Sequence, residues 1–104
     1  MNYLYFILLL LPLNLLATET YELVIYEHKF IPEILFIPAD KKIKLLVINK
    51  DEEAEEFESF DLKREKIIPA KEQTNINIGP LAPGEYKFFG EFHHETAQGK
   101  IIAK

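Results

Sequence analysis

Residues 73–103 read QTNINIGPLAPGEYKFFGEFHHETAQGKIIA, and this stretch decides the fold. Gln73 to Ile78 alternates, with Ile76 and Ile78 on one face, as a half-buried strand should. GPLAPGEY, residues 79–86, packs two prolines and two glycines into a turn. Tyr86 to Phe92 and Lys100 to Ala103 then supply two closing strands rich in aromatic and β-branched residues. Working back, the same grammar recurs. A first strand is expected from Tyr21 to His28, ended by Pro32, and another over Ile34 to Ile37. A turn follows at Pro38-Ala39-Asp40. The next strand covers Lys41 to Asn49, whose continuous apolar end suggests burial on both faces. EFESFDLKREKIIP offers two short strands, at Glu56 to Phe60 and Glu65 to Ile68. Apolar residues do not recur at helical spacing. Seven to eight short strands in under 90 residues predict an all-β protein, an antiparallel Greek-key β-sandwich.

Residues 4–16 form an apolar block too short for a bilayer core, which needs about 20 residues, and they read as a secretory signal peptide. Domain boundaries are therefore expected at 1–17 for the signal and 18–104 for one folded domain, exported from the cytoplasm. An uncleaved anchor is the alternative. The chain has no Cys, so no disulfide, thiolate nucleophile or Cys-based metal site is available. All 12 basic and 17 acidic residues lie after residue 17, giving the domain a net charge of −5. That balance argues against nucleic acid and anionic membranes and suits a cation or a basic partner.

The chemistry-bearing residues are few. There is no HExxH, no GxSxG and no phosphate-cradling glycine loop, so no enzyme is expected. Of three histidines, His93 and His94 sit together before the last loop, where neutral imidazole could ligate copper, zinc or iron. Alternatively they are solvated, and His28 reads as structural or solvated. Asp51 to Glu58 holds six carboxylates in eight residues, either a solvated connection or oxygen donors for a cation. In EFES, Glu56 and Glu58 share a strand face opposite Phe57. Phe60 then falls on the carboxylate side, which a bulge near Ser59 would resolve. Glu52 and Glu53 are expected to face water. Phe88, Gly90 and Phe92 share parity, which would put Gly90 under aromatics in the core.

YKFFGEFHHETAQGKIIAK, residues 86–104, resembles the closing strand, ligand loop and last strand of cupredoxins, the blue-copper sandwiches. The resemblance implies that the Cys position holds Gly90, the His position His93 and the axial position Gln98, and that the first His position falls within Glu55 to Glu58. Over nearly all of 21–99, with the strings EFES, REK, PGEYKFFGEF and TAQG, the chain is similar to the small EfeO-type cupredoxin-like proteins of bacterial periplasms, associated with ferrous-iron permease uptake. Cysteines expected there near Phe30 and Gly90 are absent. The resemblance thus leaves Glu56, Glu58, Glu65, Glu91 and His93 as metal ligands. Such a mixed set suits Cu(II), Fe(III) or Zn(II) and cannot make a blue site.

The expectation from these residues is a periplasmic accessory that binds a copper or iron ion and serves an inner-membrane iron permease. Two other readings stand beside it: an interaction module with a decayed metal site that docks on a membrane partner, and a copper-dependent iron oxidase.

Overall fold

The computed structural model describes residues 18–104; the apolar block read as a signal lies outside them. Among the described residues, nine strands form two sheets. They are β1 (Glu19–Tyr26), β2 (Lys29–Ile31), β3 (Ile34–Ile37), β4 (Ile43–Asn49), β5 (Glu55–Ser59), β6 (Arg64–Ile68), β7 (Gln73–Ile78), β8 (Gly84–Gly90) and β9 (Gln98–Ala103). One sheet runs β2-β1-β4-β7 and the other β3-β9-β8-β5-β6. β1 pairs parallel to β4 and β3 parallel to β9, so the sandwich is mixed where the sequence suggested antiparallel pairing throughout.

The ninth strand arises where a single strand to His28 is expected. Glu27 and His28 both take positive φ, 51° and 59°, and turn the chain so that Tyr26 pairs with Lys29. A two-residue hairpin of this kind usually contains Asn or Gly, and neither residue is present to announce it.

The alternation delivers the core. Leu23, Ile25, Ile43, Leu45, Val47, Ile76 and Ile78 from one sheet face Phe57, Ile68, Phe88 and Ile101 from the other. Leu46 and Ile48 of β4 are only partly covered, so that strand alternates rather than being buried on both faces. Phe30, Phe57 and Phe88 form an aromatic centre, with ring centroids 5.0 to 6.1 Å apart. Edge-to-face and offset contacts of this type add to the area that the rings bury. Gly99 is required beneath this cluster, because a Cβ there would lie 2.5 Å from Phe88 Cζ. Tyr86 ties the 79–86 turn by donating its hydroxyl proton to the Ala82 carbonyl at 2.7 Å.

β5 ends at Ser59, and Phe60 sits 74% exposed in the following turn, so no bulge is needed to reconcile it with Glu56 and Glu58. β8 ends at Gly90. Glu91–His93 then form a single 3-10 turn that carries Phe92 outward rather than into the core. That turn places the candidate site.

Candidate metal centre

The acidic run resolves into separate tasks. Asn49, buried at the end of β4, gathers the loop after it: its Nδ2 reaches the carbonyls of Glu53 at 2.8 Å and Ile68 at 3.1 Å, and its Oδ1 accepts the Asp51 N–H at 3.0 Å. Asp51 in turn accepts the N–H groups of Glu27 and His28, at 2.8 and 3.0 Å, fixing the β1–β2 turn. Glu52 reaches only Lys71, on the surface.

Glu55 shares the parity of Phe57 and points inward, where it is 1% exposed. Its Oε1 accepts the N–H groups of Glu56 and Phe92, each at 2.9 Å, and its Oε2 lies 2.6 Å from His93 Nδ1. The same carboxylate fills the space beside Gly90. A Cβ on Gly90 would stand 2.6 Å from Glu55 Cδ, 2.8 Å from Oε2 and 2.7 Å from Ala97 Cβ. Gly90 is therefore buried, opposite Phe57 across the sheet, and the first atoms that a side chain there would meet belong to Glu55 and Ala97.

His93 is the pivot of this corner. Its carbonyl accepts the N–H groups of Thr96 and Ala97, at 3.1 and 2.8 Å, closing the loop that follows. Its Nε2 stands 3.1 Å from Glu53 Oε2, so Glu53, although largely exposed, does not simply face water. Burial pushes the His93 imidazole down, but the hydrogen bonds to Glu55 and Glu53 outweigh it and hold the pKa above the ordinary 6.5. His28, read from sequence as structural or solvated, lays its ring on that of His93, with centroids 3.6 Å apart and planes 9° from parallel. Donor atoms of His28, Glu53 and His93 lie within 4.8 Å of one another.

The ligand set expected from sequence splits. Glu56, Glu58 and Glu65 come together, also within 4.8 Å, on the outer face of β5 and β6, where Glu58 pairs directly with Glu65. Like charges opposite each other on a sheet repel. Glu56 is pushed up to about 7 by a hydrogen bond with Glu65, by burial, and by the charges of Glu65, Glu58 and Glu91. Burial, then Glu65 and Glu91, raise Glu58 as well. Glu91 thus joins this face through its field. His93 does not join it: the carboxylates it touches are Glu53 and Glu55. Gln98 also misses the axial role, because its Nε2 donates to the His94 carbonyl at 3.0 Å and buried Ala97 faces Gly90 instead. His94 is exposed against the Phe89 ring.

Sequence reasoning held Glu53 and Glu55 only as members of the acidic run, left both out of the ligand set, and read His28 as structural or solvated. Only Glu55 had a usable signal, its parity with Phe57; the other two depend on how separate turns meet.

A blue-copper centre does not fit these residues. It needs a thiolate, and the volume its side chain would take at position 90 is held by the Glu55 carboxylate. The donors present are nitrogen and oxygen.

A family model described as a cupredoxin-like domain matches residues 2–103. A protein of Rickettsia prowazekii, strain Madrid E, whose name records it as uncharacterized, is 51% identical over 81 residues, 78% of this chain, which spans 65% of that relative's length. Among solved structures, auracyanin A, a "blue" copper protein of Chloroflexus aurantiacus, aligns with a TM-score of 0.72 at 14% identity, covering 85% of this chain and all of that one. The metal-binding domain of the Cu(I)-exporting P-type ATPase of Streptococcus pneumoniae aligns at 0.71 and 11% identity, covering 82% and 84%. At these identities the two structures establish the shared fold alone. With the family model spanning nearly its whole length, the chain belongs to the cupredoxin-like domain family.

Proposed function

We propose that the protein is a non-catalytic metal-binding accessory that takes up a copper or iron ion through imidazole and carboxylate and passes it to a permease-type importer. The periplasm is its proposed compartment and an inner-membrane iron permease its proposed partner. The observation that carries metal capture is the buried Glu55–His93 pair against Gly90. At the position where the blue-copper resemblance puts a soft sulfur, this chain holds a buried carboxylate that orients an imidazole, so the donors left to an ion at this corner are nitrogen and oxygen. Such donors favour Cu(II), Fe(III) or Zn(II) over Cu(I). The net charge of −5 supports a cation as cargo. The resemblance to EfeO-type proteins supports the uptake role.

Calorimetric titration with Cu(II), Zn(II), Mn(II) and Fe(III) tests the capture step. Binding of at least one of them at micromolar concentration or below is expected, with Mn(II) the weakest. Binding of none would overturn the proposal and favour a docking module without metal.

A further inference from the structure

The corner holds more than a modified copper position. We propose that His28, Glu53 and His93 form a three-donor site for a borderline divalent transition ion, with Glu55 holding His93 from behind. This inference rests on the metal-binding reading above and assigns its ligands.

The donor spacing fits. A tetrahedral ion with ligands near 2.0–2.1 Å separates its donor atoms by about 3.3 Å. His93 Nε2 to Glu53 Oε2 measures 3.1 Å and His28 Nε2 to the same oxygen 3.8 Å.

The support behind the donors is built in. Glu55 Oε2 bonds Nδ1 of His93, which directs Nε2 outward as the ligating atom. A buried carboxylate behind a ligating imidazole is the usual outer-shell partner in metal sites, where it sets ring orientation and raises basicity. His28 is held just as firmly through its backbone. Two adjacent non-glycine residues with positive φ are uncommon, and each such residue costs free energy unless its surroundings impose it. Here Asp51 grips both N–H groups, and the Thr96 hydroxyl donates to the His28 carbonyl at 2.6 Å. Thr96 belongs to the loop that His93 closes, so the turn that carries one imidazole is tied to the loop that carries the other.

The two rings differ in freedom. A metal lies in the plane of an imidazole ligand, so rings stacked face to face cannot both ligate one ion without splaying. The His93 side chain is 19% exposed and bonded at both nitrogens; that of His28 is 40% exposed and can turn out of the stack. His93 is therefore the fixed donor of the site, and His28 and Glu53, whose side chains are 40% and 65% exposed, are the two that can adjust to an ion. An open depression lined by His28, His93, His94 and Thr96 gives an ion its approach. Two imidazoles and one carboxylate suit Zn(II), Cu(II) or Fe(II) rather than Ca(II) or Mg(II). Three protein donors leave positions open for water or for a donor from a receiving partner, as release of a cargo ion requires.

The test combines Zn(II) calorimetry with 15N NMR of the histidine rings in the protein. His28→Asn is the informative variant because Asn tolerates positive φ, and Glu53→Gln changes an exposed side chain. Each is expected to weaken Zn(II) by about tenfold or more, at least the loss that removing an outer-shell partner causes. Glu52→Gln and Glu58→Gln should leave affinity nearly unchanged. Zn(II) should shift the Nε2 signals of His28 and His93 and leave His94 in place. Wild-type affinity in His28→Asn with stationary ring signals would overturn the inference. If Glu58→Gln then abolished binding, metal capture would stand and the ion would belong on the β5–β6 face. Absence of Zn(II) binding to the wild type would overturn the inference directly, and absence of every ion tested would overturn the proposed function with it.

Discussion

Glu55 is an acid in a place that ordinarily excludes one. It is nearly fully buried, and three donors converge on it. Removing one partner of a buried pair costs about 3–5 kcal/mol, because the other is left uncompensated. Glu55→Ala should therefore lower stability by that order in urea unfolding, more than any other single carboxylate in the 51–58 run. Gly90→Cys, the substitution that supplies the missing thiol, should also destabilise, since its Cβ would overlap Glu55 Cδ. The two substitutions should couple: Gly90→Cys ought to cost less in the Glu55→Ala background, and a double-mutant cycle measures this. A zero coupling energy would show that the carboxylate does not occupy the position-90 space. At this scale the sequence was only half legible. The parity of EFES puts Glu56 and Glu58 on the strand face opposite Phe57, although Glu56 is covered there to 8% exposure, and, read one residue earlier, it turns Glu55 inward. A run of six carboxylates looks like one solvated object, and the separate tasks of Asp51, Glu53 and Glu55 emerge only when loops distant in sequence meet.

His93 adds a pH dependence at the same scale. Its pKa is raised in the folded state, so the stabilisation it provides is fully present below the unfolded value of about 6.5 and is lost as pH rises through the folded value. The destabilisation caused by His93→Asn should thus be larger near pH 6 than near pH 9 in chemical unfolding curves. Equal losses at both would show that the ion pairs with Glu53 and Glu55 contribute nothing.

Among the elements, β5 and β6 carry the carboxylate face. Glu56, pushed up to about 7 with Glu65 as its main cause, binds its proton more tightly in the folded chain than in the unfolded one. The folded state therefore loses stability as pH rises from the ordinary carboxyl range toward 7, the reverse of a salt-bridged acid. Glu56→Gln should raise Tm at about pH 8 and change it little at about pH 5. A uniform shift at both would sink the repulsion account. The existence of every strand but β2 was legible from alternation, from Gln73–Ile78 to the aromatic β8. Boundaries were not. β1 and β2 merged in the sequence reading because Glu27 and His28 replace the Asn-Gly signal, Asp51 imposing on them a turn that their own propensities do not favour. β8 stopped two residues early because the 3-10 turn at Glu91–His93 swings Phe92 outward. The two parallel pairings rest on crossovers that no local pattern encodes.

The molecule as a whole is a disulfide-free sandwich whose centre is the Phe30, Phe57 and Phe88 cluster. The corner where the blue-copper resemblance puts metal ligands holds the buried Glu55 carboxylate and the stacked imidazoles of His28 and His93. An ion that binds only the folded chain stabilises it by about 2.7 kcal/mol at a hundredfold excess over Kd. Zn(II) should accordingly raise Tm in the wild type and do so much less in Glu53→Gln. The most direct measurement is X-ray absorption of the Cu(II)-loaded protein. The account predicts a shell of nitrogen and oxygen donors near 2.0 Å, with outer-shell scattering from two imidazoles, reduced to one in His28→Asn. An oxygen-only shell without imidazole scattering would contradict it, because the ion would then sit among Glu56, Glu58 and Glu65 and the His93 corner would play no part in capture.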